Sequence, residues 1–211
     1  MGILDEIASN DPEYYERTID LCKNILNDFD STAGLGALRI ILKNFPKEPK
    51  EGSIFLKLLI NYLKGGLSEV KPHIIYGLEV IIQEIPEIAP IIRDIDFVFD
   101  DEDPNVRTAM IQTITNLFTK GMIPVDTLVA YLKSGIIDID YVVRILSVQS
   151  LNNLLPMVPN LQEELPYFLE IGLQDQNSDV FEESYAIYQK NYDYLLKTFP
   201  NWVDKIKIDI T

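Results

Sequence analysis

The acidic run from Asp100 to Asp103, within the stretch FDDEDPNVR, holds the residue types that could most readily do chemistry. Clustered carboxylates bind Ca²⁺ or Mg²⁺, and two of them can act as general acid and base when an apolar pocket raises the pKa of one. A calcium loop of the EF-hand type needs glycine at its sixth position, where counting from Asp96 places Asp101. The run also lies at a polar turn, without the apolar surroundings of an acid–base pair. We therefore expect Asp103 to cap a helix beginning at Pro104; an acidic partner-binding patch is the alternative.

The other potentially reactive side chains do not form a recognisable catalytic or metal-binding motif in the sequence. His73 is the only histidine and Cys22 the only cysteine, which excludes zinc sites built from these residue types. We expect His73 to be partly buried and hydrogen-bonded, and Cys22 to be a buried apolar residue. Four C-terminal tyrosines could stack a ligand or, as we expect, pack the end of the domain: Tyr185, Tyr188, Tyr192 and Tyr194. The sequence thus predicts no catalytic residue, no metal site and no cofactor, and we expect a protein that is not an enzyme.

Composition narrows the class of partner. The 211 residues are 47% hydrophobic, enough for a sizeable core, and carry a formal net charge of -15. This charge repels phosphate backbones and anionic lipid, so nucleic acid and membranes are unfavourable partners. We find no apolar run after a basic start and none near the roughly 20 residues that a membrane span needs. Because a lone cysteine also fits a reducing compartment, we expect a soluble, cytoplasmic protein.

An internal repeat organises the chain. Valines recur at Val70, Val106, Val143 and Val180, with spacings of 36, 37 and 37 residues. The side chains four and eight residues after each valine are mostly apolar, and these offsets lie on one face of a helix. The side chains seven residues after are mostly small, which would let a neighbouring helix approach closely. Each repeat therefore contains a helix whose buried face includes its valine.

A second helix precedes each of these at the same period. The stretches VDTLVAYLKSG and LQEELPYFLEIG share their apolar spacing 37 residues apart, and earlier copies fall at Ile91 and Ile95 and at Phe55 and Leu59. Gly135 and Gly172 come near the end of their segments, where we expect each to adopt the left-handed conformation that closes a helix. The repeating unit is therefore a helix, a short turn and a second helix.

About five such hairpins account for the chain as a single domain, residues 1–211. The units fall at residues 12–46, 53–86, 88–121, 124–156 and 161–198, followed by a C-terminal cap at 200–211. Pro46, Pro86 and Pro156 close three of the second helices, because proline cannot continue a helix. The cap could be a helix with Asn201 as its N-cap or a short strand, and we favour the helix. The predicted fold is all-α, a right-handed superhelix, or solenoid, of stacked hairpins.

The repeat is similar to a known type. The stretch DEDPNVRTAMIQTITNLF has an acidic turn with Asp and Pro, then Val-Arg and a helix, and DIDYVVRILSVQSLNNLLP repeats the Asp and the Val-Arg pair. Both resemble HEAT repeats, and the resemblance covers residues 12–198. It implies an armadillo-like helical solenoid in which Asp and Arg of successive repeats form a ladder along the stack. Carried over to this chain, Asp103 and Asp140 would be the acidic residues of the ladder, and Arg107 and Arg144 the basic ones.

The second helices also suggest a binding surface. Their polar positions would lie side by side on a concave wall of mildly basic character: Lys71, Arg107 and Arg144, then Tyr76, Gln112 and Gln149. Solenoids usually hold an extended partner on such a wall, although the same side chains could instead be solvated or form the ladder. The leading hypothesis is a non-enzymatic scaffold or adaptor that binds a protein or peptide. The alternatives are a nucleic-acid-associated protein similar to HEAT proteins of DNA alkylation repair, and an accessory similar to the HEAT-like lyase subunits of bilin proteins.

Overall fold

Regular structure in the protein is helical wherever it is described. The computed structural model describes the backbone of residues 49–210 and the side chains of 56–206. It also describes eight residues nearer the N-terminus: Arg17, Asp20, Leu21, Cys22, Asn24, Ile25, Ala37 and Ile40. The predicted first unit, 12–46, lies outside the described residues except for these eight, and so does Pro46. Among the residues described, no helix is both long and apolar enough to cross a bilayer.

The chain divides into two compact units, the first of which spans Met1–Ile123. Its described helices are α1 (Pro49–Gly65), α2 (Lys71–Glu84), a 3₁₀ segment (Pro86–Asp100) and α3 (Pro104–Thr119). α2 packs on α3, α1 packs on the 3₁₀ segment, and the 3₁₀ segment packs on both α2 and α3. Consecutive hairpins thus lie against each other in two layers within this unit.

The second compact unit, Pro124–Thr211, repeats the arrangement. Its helices are α4 (Val125–Ile136), α5 (Tyr141–Leu154), a 3₁₀ turn (Pro159–Glu164), α6 (Leu165–Gly172), α7 (Ser178–Lys190), α8 (Tyr192–Thr198) and α9 (Pro200–Ile210). α4 packs on α5 and α6, while α7 packs on α5 and α6. The first helices therefore form one layer and the second helices the other.

Short polar side chains set where three of the second helices begin. The Asp103 carboxylate accepts the backbone N–H of Asn105 at 2.9 Å, and the Asp140 carboxylate accepts that of Val142 at 2.8 Å. The Asn177 side-chain oxygen accepts the N–H groups of Asp179 and Val180. Each side chain binds amide groups that the helix itself leaves without a partner. The structure thus places Asp103 as the cap of α3, as the sequence indicates.

The core follows the register of the repeat. Val70, Val106, Val143 and Val180 are all completely buried. The residues four positions later are completely buried as well: Ile74, Met110, Ser147 and Ser184. Leu128 and Leu132 of α4, and Leu165 and Leu169 of α6, fill the other layer. Positions related by the period of about 37 residues are therefore buried in both helices of the hairpin.

The segment before α3 is a 3₁₀ helix where the sequence predicts an α-helix. Pro90 lies inside it, and Ile95 has non-helical angles of φ -113° and ψ 19°. Proline cannot donate the backbone hydrogen bond of an α-helix and disfavours α geometry in the residue before it. Ile91 and Ile95 are nonetheless buried, as their spacing predicts. Apolar periodicity here identifies the face that is buried but not the type of helix.

Two glycines have a different role from the one predicted. Gly135 lies inside α4, and Gly121 is the described glycine with a left-handed conformation, at φ 72°. Gly172 is the last residue of α6, and a Cβ built there would lie 2.0 Å from the Ser184 hydroxyl oxygen of α7. Gly172 therefore allows close contact between two helices instead of closing a helix by a left-handed turn.

Two other local predictions need correction. The C-terminal segment is a helix, but it begins at Pro200 and contains Asn201 instead of using it as a cap. Proline suits the first position of a helix because its fixed φ is already helical and its missing N–H is not needed there. His73, expected to be partly buried, is exposed on α2. Cys22 is buried, as predicted, with 2% of its surface accessible.

Candidate interaction site

Three turns between first and second helices share one local design. An aspartate two residues before each cap accepts the backbone N–H of the cap residue: Asp101 from Asp103, Asp138 from Asp140, and Asp175 from Asn177. The donor–acceptor distances are 3.0, 2.8 and 2.8 Å. Each turn thus contains two structural polar residues, a turn aspartate and a cap, separated by one position.

Each compact unit contains an ion pair between a second helix and the turn of the following hairpin. Lys71 Nζ lies 2.6 Å from Asp101 Oδ2, with about a tenth of each side chain exposed. Arg144 donates from Nε to Asp175 Oδ2 at 2.6 Å and from Nη2 to Asp175 Oδ1 at 2.9 Å. A two-point pair between a planar guanidinium and a carboxylate fixes orientation as well as distance.

The arginines also hold their own turns. Arg107 Nη1 donates to the Asp101 backbone carbonyl at 2.5 Å, and Arg144 Nη1 donates to that of Asp138 at 2.9 Å. Arg107 is almost completely buried, with 5% of its surface exposed. These side chains therefore satisfy backbone groups within the turn, which is an internal structural role.

The Arg144–Asp175 pair shifts the pKa of both groups. Burial opposes ionisation of Asp175, but the hydrogen bond from Arg144 and the backbone N–H of Asn177 outweigh it, so the pKa of Asp175 is lowered. The hydrogen bond to Asp175 raises the pKa of Arg144 above its usual value. Both groups therefore remain charged at neutral pH and keep the pair intact.

The predicted ladder is correct for Arg144, whereas its acidic residues differ from those predicted and the second basic residue is Lys71. The carboxylates that bind Lys71 and Arg144 belong to Asp101 and Asp175, not to the predicted Asp103 and Asp140, which are the caps. The aspartate that binds the basic side chain lies two residues before the cap. The cap faces its own helix, whereas this turn aspartate faces the preceding hairpin. The clustered cations predicted to form a basic wall, Lys71, Arg107 and Arg144, are engaged in these internal contacts.

The remaining predicted side chains lie on the same helices. Tyr76 of α2 donates its hydroxyl to Gln112 Oε1 of α3 at 2.5 Å, and burial, followed by nearby Glu79, raises the pKa of Tyr76. Asn116 donates to Glu79 at 3.2 Å. Gln149 is half-buried on α5. Tyr76 and Gln112 thus join neighbouring second helices in the first unit.

The outward positions of the three turns differ from one another. The residues on either side of the turn aspartate are exposed in every case: Asp100 and Glu102, Ile137 and Ile139, Gln174 and Gln176. Ile137 is 63% exposed and Ile139 is 92% exposed. Isoleucine is among the residues most often found inside proteins, so two of them at the surface of one turn are informative. Alignment at the 37-residue period would have revealed them, because they replace acids in one turn and glutamines in the other.

The two isoleucines lie at a groove in the second unit, called the isoleucine groove below. It has a volume of about 750 Å³ and runs between the α4–α5 turn and the α6–α7 turn. Its apolar lining is Ile136, Ile137, Ile139 and Ile171. Its charged lining is Asp138, Arg144, Glu170 and Asp175, and two glutamines, Gln174 and Gln176, complete it. Tyr141 and Val142, 45% and 42% exposed, extend the apolar surface along α5.

The groove has the composition of a binding surface more than that of a reactive one. Among the residues that the structure describes, no group of three or more His, Cys, Asp or Glu is placed to hold a metal ion. Asp175 and Arg144 are charged and paired, whereas a general acid or base needs a pKa near the working pH. Apolar side chains with a few charged groups around them are typical of sites that bind by contact and orientation.

The C-terminal tyrosines pack with their neighbours. Tyr185 stacks on Phe181 with ring centroids 5.9 Å apart, and Tyr188, 7% exposed, lies 6.4 Å from the Trp202 ring of α9. Tyr194 meets Phe199 edge to face at 6.2 Å. Tyr188 also meets Tyr192 of α8 edge to face at 5.7 Å, so its ring joins α7 to α8 and α9, which accords with the predicted packing role.

Comparison with known proteins gives no relative for this arrangement. No family model, no curated protein and no solved structure matches the chain. The fold and the groove therefore define the class only as an all-helical protein with a surface groove lined by isoleucines and polar side chains.

Proposed function

We propose that the protein is a non-enzymatic scaffold of HEAT-like hairpins that binds a partner protein or peptide at the isoleucine groove. The observation that supports this most directly is the exposure of Ile137 and Ile139 in a turn whose structural work is done by other residues. Exposed apolar side chains rimmed by polar groups are a feature of interaction sites. Burying them against a partner would contribute favourably to binding.

The hairpin packing within each unit supports the scaffold part of the proposal. Second helices pack on second helices, first helices pack on first helices, and in each unit one basic side chain joins a hairpin to the turn of the next. Such layering is the arrangement from which HEAT-type solenoids are built. We propose that the chain as a whole continues this pattern as a right-handed superhelix.

We propose that the partner binds at the turns that form the isoleucine groove, not at the predicted surface formed by Lys71, Arg107 and Arg144. Lys71 and Arg107 are nearly buried and serve Asp101, while Arg144 serves Asp175 and the Asp138 carbonyl. With these three cations engaged in internal contacts, they do not support the basic surface that a DNA-repair type of HEAT protein would need. No observation on the described residues favours the lyase accessory over the scaffold.

Affinity purification with the full-length chain as bait tests the proposal. Extract of the source cell is passed over the unaltered protein and over Ile137→Gln/Ile139→Gln, and bound proteins are identified by mass spectrometry. We expect at least one partner to be lost with the isoleucine variant. The matched control is Asp100→Asn/Glu102→Gln, which alters the same two outward positions of another turn and should retain that partner.

Two results would overturn the proposal. One is a screen in which no bound protein depends on Ile137 and Ile139. The other is a reproducible turnover activity that disappears on substitution of a single polar residue, because that would make the protein an enzyme.

A further inference from the structure

We infer that the isoleucine groove accepts a short basic segment of a partner protein in which aliphatic side chains accompany lysine or arginine. The inference rests on the proposed function and specifies the chemistry of the partner. It is carried by two features of the groove: the exposed isoleucines at its edge and its excess of carboxylates.

The apolar requirement follows from the isoleucines. Ile137 and Ile139 project at one edge with 63% and 92% of their surfaces exposed, and Ile171 lines the facing side. The groove is open to solvent and has a volume of about 750 Å³, room for a few side chains of a segment bound at the surface. Aliphatic groups of a partner can displace water from the exposed surfaces of Ile137 and Ile139.

The charge requirement follows from the lining. Three carboxylates, of Asp138, Glu170 and Asp175, line the groove with one guanidinium, that of Arg144, which is bound at two points to Asp175, while Lys205, outside the lining, binds Glu170. The surrounding unit adds to the imbalance, because residues 124–211 contain 13 Asp and Glu against 6 Lys and Arg. The local field therefore favours a cationic segment and repels an acidic one.

Glu170 is the carboxylate best placed to exchange partners. It binds Lys205 at 2.6 Å, and the two side chains remain 42% and 59% exposed. An exposed ion pair of this kind contributes little to stability, so a lysine or arginine of the partner can compete for Glu170. The same field disfavours a second copy of this chain in the groove, because that copy would bring a net charge of -15.

Fluorescence anisotropy with labelled nonapeptides tests the inference on the full-length protein. The probes are an alternating leucine–lysine peptide, a leucine–glutamate peptide, a leucine–serine peptide and a serine–lysine peptide. We expect the leucine–lysine peptide to bind most tightly, and its affinity to fall roughly tenfold when salt rises from about 0.05 M to about 0.5 M.

Three variants locate the binding. Ile137→Gln/Ile139→Gln should weaken the leucine–lysine peptide by at least about tenfold, as expected for lost apolar contacts. Glu170→Gln should weaken that peptide several-fold and leave the leucine–serine peptide unchanged. Asp100→Asn/Glu102→Gln, which removes two carboxylates from another turn, should leave all four probes unchanged. Circular dichroism on each variant checks that the helical fold is retained.

The outcomes separate this inference from the proposed function. The inference of a basic, aliphatic segment would be overturned if the serine–lysine peptide bound as tightly as the leucine–lysine peptide. It would also be overturned if the leucine–glutamate or leucine–serine peptide bound more tightly than the leucine–lysine peptide. If that stronger binding still required Ile137 and Ile139, the groove would remain an interaction site. Self-association of the unaltered protein in sedimentation, abolished by Ile137→Gln/Ile139→Gln, would identify a second copy as the occupant and also overturn the inference. Failure of every probe overturns the inference, while the purification from cell extract decides the proposed function independently.

Discussion

Arg144 and Asp175 form a two-point ion pair, with Nε 2.6 Å from Oδ2 and Nη2 2.9 Å from Oδ1. The same Asp175 carboxylate accepts the backbone N–H of Asn177 at 2.8 Å. One side chain thus joins α5 to the turn that precedes α7 and also shapes that turn. This pair is the most sharply defined link between consecutive hairpins in the second unit.

Loss of the pair should destabilise the protein. We expect Asp175→Asn to lower the free energy of unfolding by about 2 kcal/mol, because it leaves the Arg144 guanidinium partly buried without its counter-ion. Arg144→Lys keeps the charge but not the planar two-point geometry, and should cost about 1 kcal/mol. Urea denaturation followed by circular dichroism measures both. Lys205→Gln, at an exposed pair, serves as the control and should change stability by less than about 0.5 kcal/mol; an equally large loss there would contradict the assignment.

The contribution of Asp175 should depend on pH in one direction. Its folded pKa is lowered, so the unfolded chain, with an Asp pKa of about 3.9, binds the proton more readily. The stabilisation is then fully present above about pH 5 and is lost as pH falls through 3.9 toward the folded pKa. The difference in unfolding free energy between the unaltered protein and Asp175→Asn should be constant from about pH 5 to 8 and shrink near pH 3. A difference that grew on acidification would contradict the sign of the shift.

Gly172 should resist even the smallest side chain. A Cβ there would lie 2.0 Å from Ser184 Oγ and 2.9 Å from Ser184 Cβ, both on a completely buried residue. We expect Gly172→Ala to cost about 2 kcal/mol in unfolding free energy by overpacking. Combination with Ser184→Gly removes both overlapping atoms, so the double variant should be more stable than the sum of the single effects predicts.

Gly121→Ala gives a matched comparison for that prediction. Nothing lies within 4 Å of a Cβ at Gly121, but its φ of 72° is unfavourable for alanine. We expect a cost of about 1 kcal/mol from backbone strain alone. Ser184→Gly should give no rescue of Gly121→Ala, whereas rescue there would show that the coupling is not steric.

Cys22 should react slowly in the native protein. Burial raises the pKa of its thiol to about 11, and only 2% of its surface is accessible. At pH 8 very little thiolate is present, so modification by a disulfide reagent should be at least roughly a hundredfold slower than in urea. A stopped-flow or spectrophotometric assay of thiol modification measures the two rates. Rapid native modification would mean that Cys22 is accessible and ionised.

The sequence predicted the parts of the fold that depend on periodic burial. Val70, Val106, Val143 and Val180 mark completely buried positions at the start of the second helices of four successive units. A helix repeats its environment every few residues, so a repeated apolar pattern constrains the whole face. Asp103 was likewise predictable as a cap, because a cap acts on amides adjacent in the sequence.

Contacts between distant side chains were less predictable. The family pattern suggested Asp103 and Asp140 as the ladder carboxylates, but the carboxylates that pair with Lys71 and Arg144 are Asp101 and Asp175, each two residues before the cap of its turn. Pro90 changes the type of helix but not the buried face. The groove was missed because Ile137 and Ile139 lie in a turn, where apolar periodicity gives no signal.

The turns combine fixed and variable positions in alternation. A turn aspartate and a cap recur in all three, while the exposed neighbours are acids, isoleucines or glutamines. The residues that fold the turn, the aspartate and the cap, are thus different from the exposed residues that form its surface, although the two kinds lie only one position apart. Substitution at the exposed neighbours should change the surface of a turn at almost no cost in stability. The surface chemistry of one turn can therefore diverge during evolution while the turns of the other repeats remain unchanged.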